Sequence, residues 1–262
     1  MPEGHTVHRI ANEFNLLFGG KVLRVDSPQG RFTDSRLING HTLINASAVG
    51  KQMFLNFGDD LILRIHLGIY GKWQFHRGAV PEVIGQVRAR FAVEGVVAEL
   101  RGPTVCEVID SEALAVVYDR LGPDPLNPDP DGAEFKRFAS RVKRSATSIG
   151  LLLMNQEVIS GIGNVYRAEI LFRAKINPHT HGKDLKPKQL KAIWEDSVML
   201  LNVGVVHGVM ITRDEFLESD PGKADRNWVY KREGQSCRRC KKKVVLEVAA
   251  GRKLYWCPGC QR

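Results

Sequence analysis

The chain has 262 residues, of which 43% are hydrophobic and 26% charged, a composition typical of a soluble protein of one to three domains. Its apolar runs are shorter than the ~20 residues that cross a bilayer, and no signal-peptide core follows Met1. Membrane and secreted proteins are thereby disfavoured, and we expect a cytoplasmic protein. The formal net charge of +9 points to a polyanionic partner.

The first predicted element is a helix near the N-terminus. In HTVHRIANEFNLLFGG, apolar residues recur at helical spacing at Val7, Ile10, Ala11, Phe14, Leu17 and Phe18. Thr6 is a candidate N-cap, and Gly19 with Gly20 forms a stop signal. Pro2 and Glu3 precede this helix, either as an ordinary disordered terminus or as residues that the helix holds against a core.

Strands are predicted next, in QMFLNF, LILRIHL and VRARFAVE. In the last of these segments, Val87, Ala89, Phe91 and Val93 alternate with polar residues. Together with the first helix they predict a β-rich domain over residues 1–121. Cys106 lies in the apolar segment TVCEVI and is expected to be a small core residue.

The proline-rich segment LGPDPLNPDPDGA predicts an interdomain linker at residues 122–132. Helical periodicity follows in AEFKRFASRV, IGLLLMNQEVI, NVYRAEILFRA and PKQLKAIWEDSVMLLNVGV, which predicts a helical domain over residues 133–225. Within it, Gly161 and Gly163 frame a tight turn and Asn164 begins a helix. Such a turn suits either a phosphate held at a helix N-terminus or a plain corner between two helices.

The C-terminal segment carries the whole charge excess. Residues 226–262 contain eleven Lys and Arg against only Glu233 and Glu247, so the rest of the chain is neutral overall. A charge run of this kind indicates a polyanion contact or a solvated surface.

The same segment contains two C-x2-C pairs separated by sixteen residues: Cys237, Cys240, Cys257 and Cys260. This spacing predicts a tetrahedral Zn²⁺ site, with two disulfides as the alternative that a reducing compartment disfavours. Because thiolates fill all four positions, we expect one structural ion per chain. KKKVVLEV and RKLYWC flank AAG, which predicts a β-hairpin between the two cysteine pairs.

These motifs together resemble the formamidopyrimidine-DNA glycosylase/endonuclease VIII family along the whole chain. The resemblance depends on Pro-Glu after Met1, SGIGNVYRAE in the middle and GRKLYWCPGCQ at the end. It implies an α+β multidomain fold with a β-sandwich, a helix–two-turn–helix domain and a four-cysteine zinc finger over residues 226–262. It also implies a monomeric DNA-repair enzyme of the cytoplasm and nucleoid, which binds damaged DNA between its domains and has no membrane partner.

The family pattern assigns roles to individual residues of this chain. Pro2 resembles the nucleophile and Glu3 the acid, while Lys51 and Arg252 resemble catalytic residues that grip the phosphates beside the lesion. Asn164 resembles a further phosphate ligand, and Ile69 with Tyr70 stands where a wedge residue is expected. Glu169 matches an acidic family position, with an ordinary helix carboxylate as the alternative.

Proline at the N-terminus has a chemical purpose in such an enzyme. Once Met1 is removed, Pro2 presents a terminal amine, which titrates near ~7.7–8 rather than the ~10.4 of lysine. The positive end of the following helix further disfavours the protonated amine. Attack on C1′ of the nucleoside gives an iminium that stays cationic, because a secondary amine leaves it no N–H proton. This electron sink acidifies the C2′ proton and drives β- and then δ-elimination, with Glu3 assisting proton transfer.

Three departures from the family pattern bear on the substrate. Thr6 stands where the family usually has a glutamate, and Gly150 and Asn155 replace the lysine and aspartate of purine-specific members. An Arg-x-Phe gap-filling stretch has no counterpart around RGPTVCEVID. We therefore expect oxidised pyrimidines as substrates; the alternatives are oxidised purines such as 8-oxoguanine, or a non-catalytic DNA-binding zinc protein.

Overall fold

The computed structural model describes residues 2–79, 82–219 and 221–262 and divides the chain into two compact units. Unit one is Met1–Arg120 and unit two is Leu121–Arg262. The finer division predicted from the sequence, with a linker at 122–132 and a separate finger from residue 226, stays a prediction. Of the residues that the structure describes, none belongs to a helix long and apolar enough to cross a membrane.

Unit one contains eight strands and three helices among its described residues. The strands are β1 (Arg24–Asp26), β2 (Asn45–Val49), β3 (Gln52–Asn56), β4 (Ile62–His66), β5 (Lys72–Arg77), β6 (Ala89–Val93), β7 (Val96–Arg101) and β8 (Val105–Ile109). The helices are α1 (Gly4–Phe18), α2 (Ser35–Ile38) and α3 (Ser111–Arg120).

Two four-stranded antiparallel sheets, ordered β1-β6-β7-β5 and β2-β3-β4-β8, form the predicted β-sandwich. The predicted strands correspond to β3, β4 and β6. Helix α1 lays its apolar stripe into the same core, where Phe14 is fully buried and its ring centroid lies 4.7 Å from that of Trp73. Burial of such aromatic faces contributes most of the stability of a small core.

Helix α1 begins two residues before the predicted N-cap. Glu3, not Thr6, is the N-cap residue, and the main-chain N–H of Thr6 donates to the carbonyl of Glu3 at 3.0 Å. The prediction of Thr6 as the cap was wrong because Gly4 and His5 are themselves buried, so that packing of the first turn extends the helix backwards.

Unit two is mainly helical. Its helices are α4 (Ala133–Lys143), α5 (Ile149–Leu152), α6 (Asn164–Arg173) and α7 (Pro187–His207), and its strands are β9 (Val245–Ala249) and β10 (Arg252–Trp256). Apolar residues from the four helices share one buried core.

Helix α5 is much shorter than predicted from IGLLLMNQEVI. After one turn, the side-chain oxygen of Asn155 accepts from the N–H of Glu157 at 2.9 Å, and the carbonyl of Asn155 accepts from Val158 at 2.9 Å. Asparagine side chains compete with helical hydrogen bonds in this way, which helical periodicity does not reveal.

The proline-rich segment after residue 121 belongs to unit two and is hydrogen-bonded to the residues between α5 and α6. The N–H of Gly122 donates to the carbonyl of Gln156 at 2.7 Å, and the N–H of Ser160 donates to the carbonyl of Pro123 at 2.9 Å. Asp129 caps α4, because its carboxylate accepts the N–H of Glu134 at 3.0 Å. The segment therefore helps to hold the glycine turn that precedes α6.

Candidate functional site

Pro2 and Glu3 lie directly before helix α1. Glu3 has extended backbone and a fully buried side chain, whereas Pro2 is half-buried. The positive end of the α1 dipole therefore lies next to Pro2, where it disfavours a protonated amine. Met1, whose removal the proline chemistry requires, lies outside the described residues.

His5 and Thr6 form a polar pair in the first turn of α1. Burial, followed by the positive charge of Arg9, lowers the pKa of His5 from 6.5 to about 4. The Nε2 atom of His5 lies 3.1 Å from the Thr6 hydroxyl. At neutral pH these two side chains are uncharged, where the family usually has a carboxylate at position 6.

Lys51 lies in the two-residue turn that joins β2 to β3, where Val49 pairs with Gln52. Gly50 takes a positive φ of 59° in this turn, a conformation that suits glycine. In the neighbouring strand, Gln52 pairs with His66, the last residue of β4. The Lys51 turn and the chain that leaves β4 therefore lie at the same end of the sheet.

Ile69 and Tyr70 are presented at that end by the β4–β5 loop, residues 67–71. The N–H of Gly71 donates to the carbonyl of Leu67 at 2.9 Å and closes the loop, with Gly68 at a φ of 66°. The loop leaves Ile69 55% and Tyr70 86% exposed. Large apolar side chains held on a tight, closed loop have the form required of a wedge.

His66 joins this group, although the sequence analysis missed it. Its Nδ1 lies 2.8 Å from the Thr104 hydroxyl, and that hydroxyl donates to the main-chain oxygen of His66 at 3.0 Å. Burial and then the positive charge of Lys51 lower the pKa of His66. Lys51, His66 and the β4–β5 loop thus lie at one edge of unit one. The sequence signal for His66 was its position at the end of a strand, directly before this loop.

In unit two, Asn164 begins α6 as predicted, after the glycine turn. Gly161 has a φ of 89°, and the Gln156 side chain holds the turn by donating to the carbonyl of Ile162 at 3.0 Å and accepting from Gly161 at 3.0 Å. Asn164 is 9% exposed, so its amide lies just beneath the surface at the positive end of a helix.

Arg252 begins β10 and pairs with Ala249 across the tip of the predicted hairpin. The turn consists of Ala250 and Gly251, with φ values of 48° and 73°, which is the geometry of a type I′ turn. Arg252 is exposed and lines a groove of about 520 Å³, together with Arg141, Asn155 and Arg167 of the same unit. The lysine run 241–243 precedes β9 and does not belong to the strand.

The four cysteines of the two C-x2-C pairs come together at the base of the hairpin. The sulfur atoms of Cys237 and Cys260 are 3.8 Å apart, those of Cys240 and Cys257 are 3.4 Å apart, and all four lie within 4.8 Å of one another. Gly259 is required here, because a Cβ at this position would lie 2.6 Å from the Cys240 sulfur. This cluster has the donors and spacing to hold a metal ion.

Glu169 is fully buried and acts as an anchor within unit two. Its carboxylate accepts from the main-chain N–H groups of Trp228 at 2.7 Å, Val229 at 2.9 Å and Tyr230 at 2.8 Å, and from the Thr212 hydroxyl at 2.5 Å. These bonds fix the segment that leads into the cysteine cluster. Such a carboxylate supports the fold rather than facing a ligand.

Gly150 has no room for the lysine that purine-specific members carry. Its N–H donates to the carbonyl of Pro178 at 2.9 Å, and a Cβ would lie 2.9 Å from that same oxygen. Asn155, the second departure, lines the groove beside Arg252. Gly150 and Asn155, which differ from the residues of purine-specific members, therefore lie in one region of unit two.

Cys106 packs half-buried against the core of unit one, and burial raises its thiol pKa to about 12. It is an unreactive core residue, as predicted.

Two family models match the chain. The formamidopyrimidine-DNA glycosylase N-terminal domain matches residues 1–107, and the formamidopyrimidine-DNA glycosylase H2TH domain matches residues 121–215.

Among curated relatives, Endonuclease 8 1 of Mycobacterium tuberculosis is 43% identical over 270 residues, covering 100% of both chains. Endonuclease 8 of Escherichia coli is 28% identical over 269 residues, again covering 100% of both. The fold is similar to that of Lactococcus lactis Fpg solved with DNA containing N7-benzyl-Fapy-dG, at a TM-score of 0.83, 23% identity and 100% coverage of both chains.

Proposed function

Because this chain belongs to the formamidopyrimidine-DNA glycosylase/endonuclease VIII family, we propose that it is a bifunctional DNA glycosylase and AP lyase of base excision repair. It removes oxidised bases from DNA in the cytoplasm, at the nucleoid, and then cleaves the strand. The observation that carries the residue assignment is the position of Pro2 at the positive end of α1, beside the buried carboxylate of Glu3.

Pro2, freed of Met1, attacks C1′ of the damaged nucleoside and displaces the base. The bond from the proline nitrogen to C1′ forms as the glycosidic bond breaks, and loss of ring oxygen O4′ from C1′ then yields the iminium. Glu3 delivers the proton that O4′ requires, a task favoured by a buried carboxyl group. Removal of the C2′ proton expels the 3′ phosphate, and removal of the C4′ proton then expels the 5′ phosphate, so that the strand is cleaved on both sides.

Each unit supplies hydrogen-bond donors for the DNA backbone. Lys51 and His66 supply donors beside the β4–β5 loop, and Asn164 and Arg252 supply donors in unit two. Ile69 and Tyr70 fill the space that the damaged base leaves when it turns out of the helix, which offsets part of the unstacking energy of a few kcal/mol. We include His66 in this set because it lies close enough to Lys51 for the lysine charge to lower its pKa.

The cysteine cluster holds one structural Zn²⁺. The ion would supply no reacting group, because the four cysteine thiolates would leave it no open position for a substrate. Cys237, Cys240, Cys257 and Cys260 instead fix the base of the hairpin whose tip carries Arg252.

Oxidised pyrimidines are the preferred substrates. Gly150 and Asn155 remove two purine-branch side chains, and Gly150 is held too close to Pro178 to accept another side chain. The curated relatives that match along the whole chain at 43% and 28% identity are likewise proteins named endonuclease 8.

Borohydride trapping on abasic duplex DNA tests the central claim. We expect the wild type to form a covalent adduct, and Pro2→Gly or a form that retains Met1 to form far less. Undiminished trapping with Met1 in place would assign the nucleophile to another residue.

A lesion panel tests the substrate preference. We expect thymine glycol or 5,6-dihydrouracil to exceed 8-oxoguanine opposite cytosine by at least ~10-fold in kcat/KM, about 1.4 kcal/mol in transition-state binding. Single-turnover base release on matched duplexes measures this ratio. Equal or faster release of 8-oxoguanine would assign the chain to the purine branch and leave the proline chemistry intact.

A further inference from the structure

Arg167 occupies an unusual place in helix α6. Its side chain is among the largest that are fully buried in unit two. Its Nη1 donates to the carbonyl of Gly150 at 3.2 Å, and its Nη2 donates to the carbonyl of Lys253 at 2.9 Å. The same Nη2 also donates to Oδ1 of Asn164. One guanidinium therefore joins α5, the start of α6 and the start of β10.

The contact with Asn164 fixes the orientation of that side-chain amide. A guanidinium can only donate, so the atom of Asn164 that faces it must be the carbonyl oxygen. The NH₂ group then points away from Arg167. Asn164 is 9% exposed at the N-terminus of α6, and its NH₂ group is the part of the side chain that would donate to an acceptor outside the protein.

The contact with Lys253 fixes the position of the main chain next to Arg252. Lys253 directly follows Arg252 in β10 and pairs with Val248, so its carbonyl anchors the strand at the hairpin tip. A rigid planar fork suits several oxygens in fixed directions better than a lysine ammonium does. The separation of 86 residues between Arg167 and Lys253 makes this a tertiary contact rather than a local one.

We propose that Arg167 is a positioning residue that couples Asn164 to Arg252, so that both meet the DNA backbone in one fixed arrangement. This inference rests on the proposed function for the roles of those two residues. Arg167 itself does not touch the substrate. It makes the two contacts interdependent, because movement of the guanidinium shifts the amide of Asn164 and the main chain beside Arg252 together.

Binding to a duplex with a tetrahydrofuran abasic analogue provides the readout, since this site cannot be cleaved through C1′ chemistry. In the wild-type background, Asn164→Ala and Arg252→Ala should be non-additive: the double variant should lose about fivefold less affinity than the product of the single losses. In the Arg167→Lys background the two losses should simply multiply.

Arg167→Lys alone should raise Kd about tenfold while changing the single-turnover rate at saturating enzyme by less than threefold. Arg173→Lys is the matched control, because Arg173 lies on the same helix and bonds to Asp196 at 2.7 Å rather than to Asn164 or Lys253. Arg173→Lys should leave the coupling between Asn164 and Arg252 unchanged. Arg167→Met provides a second variant if the lysine protein is unstable.

Two results would overturn the proposal: unchanged coupling in folded Arg167→Lys, or additive losses already in the wild type. Borohydride trapping of the wild type on abasic DNA is run alongside. If the wild type does not trap, the proposed glycosylase chemistry fails, whereas the coupling is measured by binding alone and is judged separately.

Discussion

His5 predicts how the stability of unit one responds to pH. Its pKa is lowered by burial to about 4 in the folded state, against 6.5 for the ordinary side chain. Between these values the unfolded chain binds a proton that the folded chain excludes. Stability is therefore fully present above pH 6.5 and is lost as the pH falls toward 4, by about 3 kcal/mol in total at ~1.4 kcal/mol per unit.

Urea unfolding of His5→Gln between pH 4.5 and 7 measures this effect. The variant should show a flatter decline in stability than the wild type as the pH falls. His181→Gln is the control, because this side chain is 54% exposed and its ion-pair partner is Asp184, at 3.5 Å. Parallel pH profiles for the wild type and His5→Gln would show that His5 is not the buried titrating group.

Gly150 carries a second prediction at this scale. A Cβ at position 150 would lie 2.9 Å from the carbonyl oxygen of Pro178, which is main chain and moves little. Gly150→Lys should therefore destabilise the protein by roughly 1–3 kcal/mol and should not create 8-oxoguanine activity. Asn155→Asp is the comparison, because it restores the other purine-branch side chain without placing new atoms beside Pro178. A stable Gly150→Lys protein with gained purine activity would refute this account.

Residues close in sequence were predictable, and those joined across the fold were not. Pro2 and Glu3 are adjacent in the sequence, and the spacing of the four cysteines predicts that they form one cluster. Thr104 contacts His66 from 38 residues away, so no local pattern reveals that pair. The contact between Arg167 and Lys253 could not be predicted either, because 86 residues separate the two positions.

At the scale of elements, the sequence predicted strands better than it predicted helix ends. Strands β3, β4 and β6 are short segments rich in apolar residues that contribute to the core of the sandwich, and such segments can be recognised in the sequence. Helix α3 has no buried residue and so has no strong apolar stripe to detect. The limits of α1 and α5 depend on packing and on the Asn155 side chain, which periodicity does not encode.

The hairpin turn offers an element-scale prediction. Ala250 has a φ of 48°, a left-handed conformation that is strained for alanine and that asparagine tolerates better. Ala250→Asn should stabilise the hairpin by roughly 0.5–1 kcal/mol and slow metal release to a chromogenic chelator. Gly251→Ala should do the opposite, because Gly251 has a φ of 73°. Faster release from Ala250→Asn would show that the turn does not limit hairpin opening.

At the scale of the whole molecule, the basic C-terminal segment divides its cations between two tasks. Its arginines largely hold structure: Arg238 pairs with Asp225 at 3.2 Å, and Arg239 lies 4.5 Å over the Trp228 ring. The lysine run 241–243 is exposed. A net charge counted from sequence therefore overstates the number of arginines available to DNA.

Arg252 is an arginine that remains exposed at the hairpin tip. Arg252→Ala should weaken binding about equally for damaged and undamaged duplex, and should reduce the slope of log K against log salt by about 1 unit. Arg238→Ala serves as the comparison, since its guanidinium is used within unit two. A loss confined to one lesion, with the slope unchanged, would show that Arg252 reads the base instead.

Metal removal tests how the C-terminal module is held together. The hairpin has only two strands, and its small cluster of apolar residues is shared with α6, so the four sulfur ligands supply much of its cohesion. Without the ion, Glu169 still anchors Trp228 by a bond of 2.7 Å and Gln261 still donates to the carbonyl of Ile176 at 3.0 Å, but the four sulfur atoms are no longer held together. We therefore expect Cys260→Ser or chelation to lower DNA affinity at least as much as Arg252→Ala does, with a change in tryptophan fluorescence from Trp256.

The sandwich of unit one has its own core and should keep its β-sheet signal in circular dichroism. Cys106→Ser controls for loss of a thiol, because Cys106 lies outside the cluster. Full DNA affinity in the metal-free protein would mean that contacts with α6, and not the ion, hold Arg252 in place.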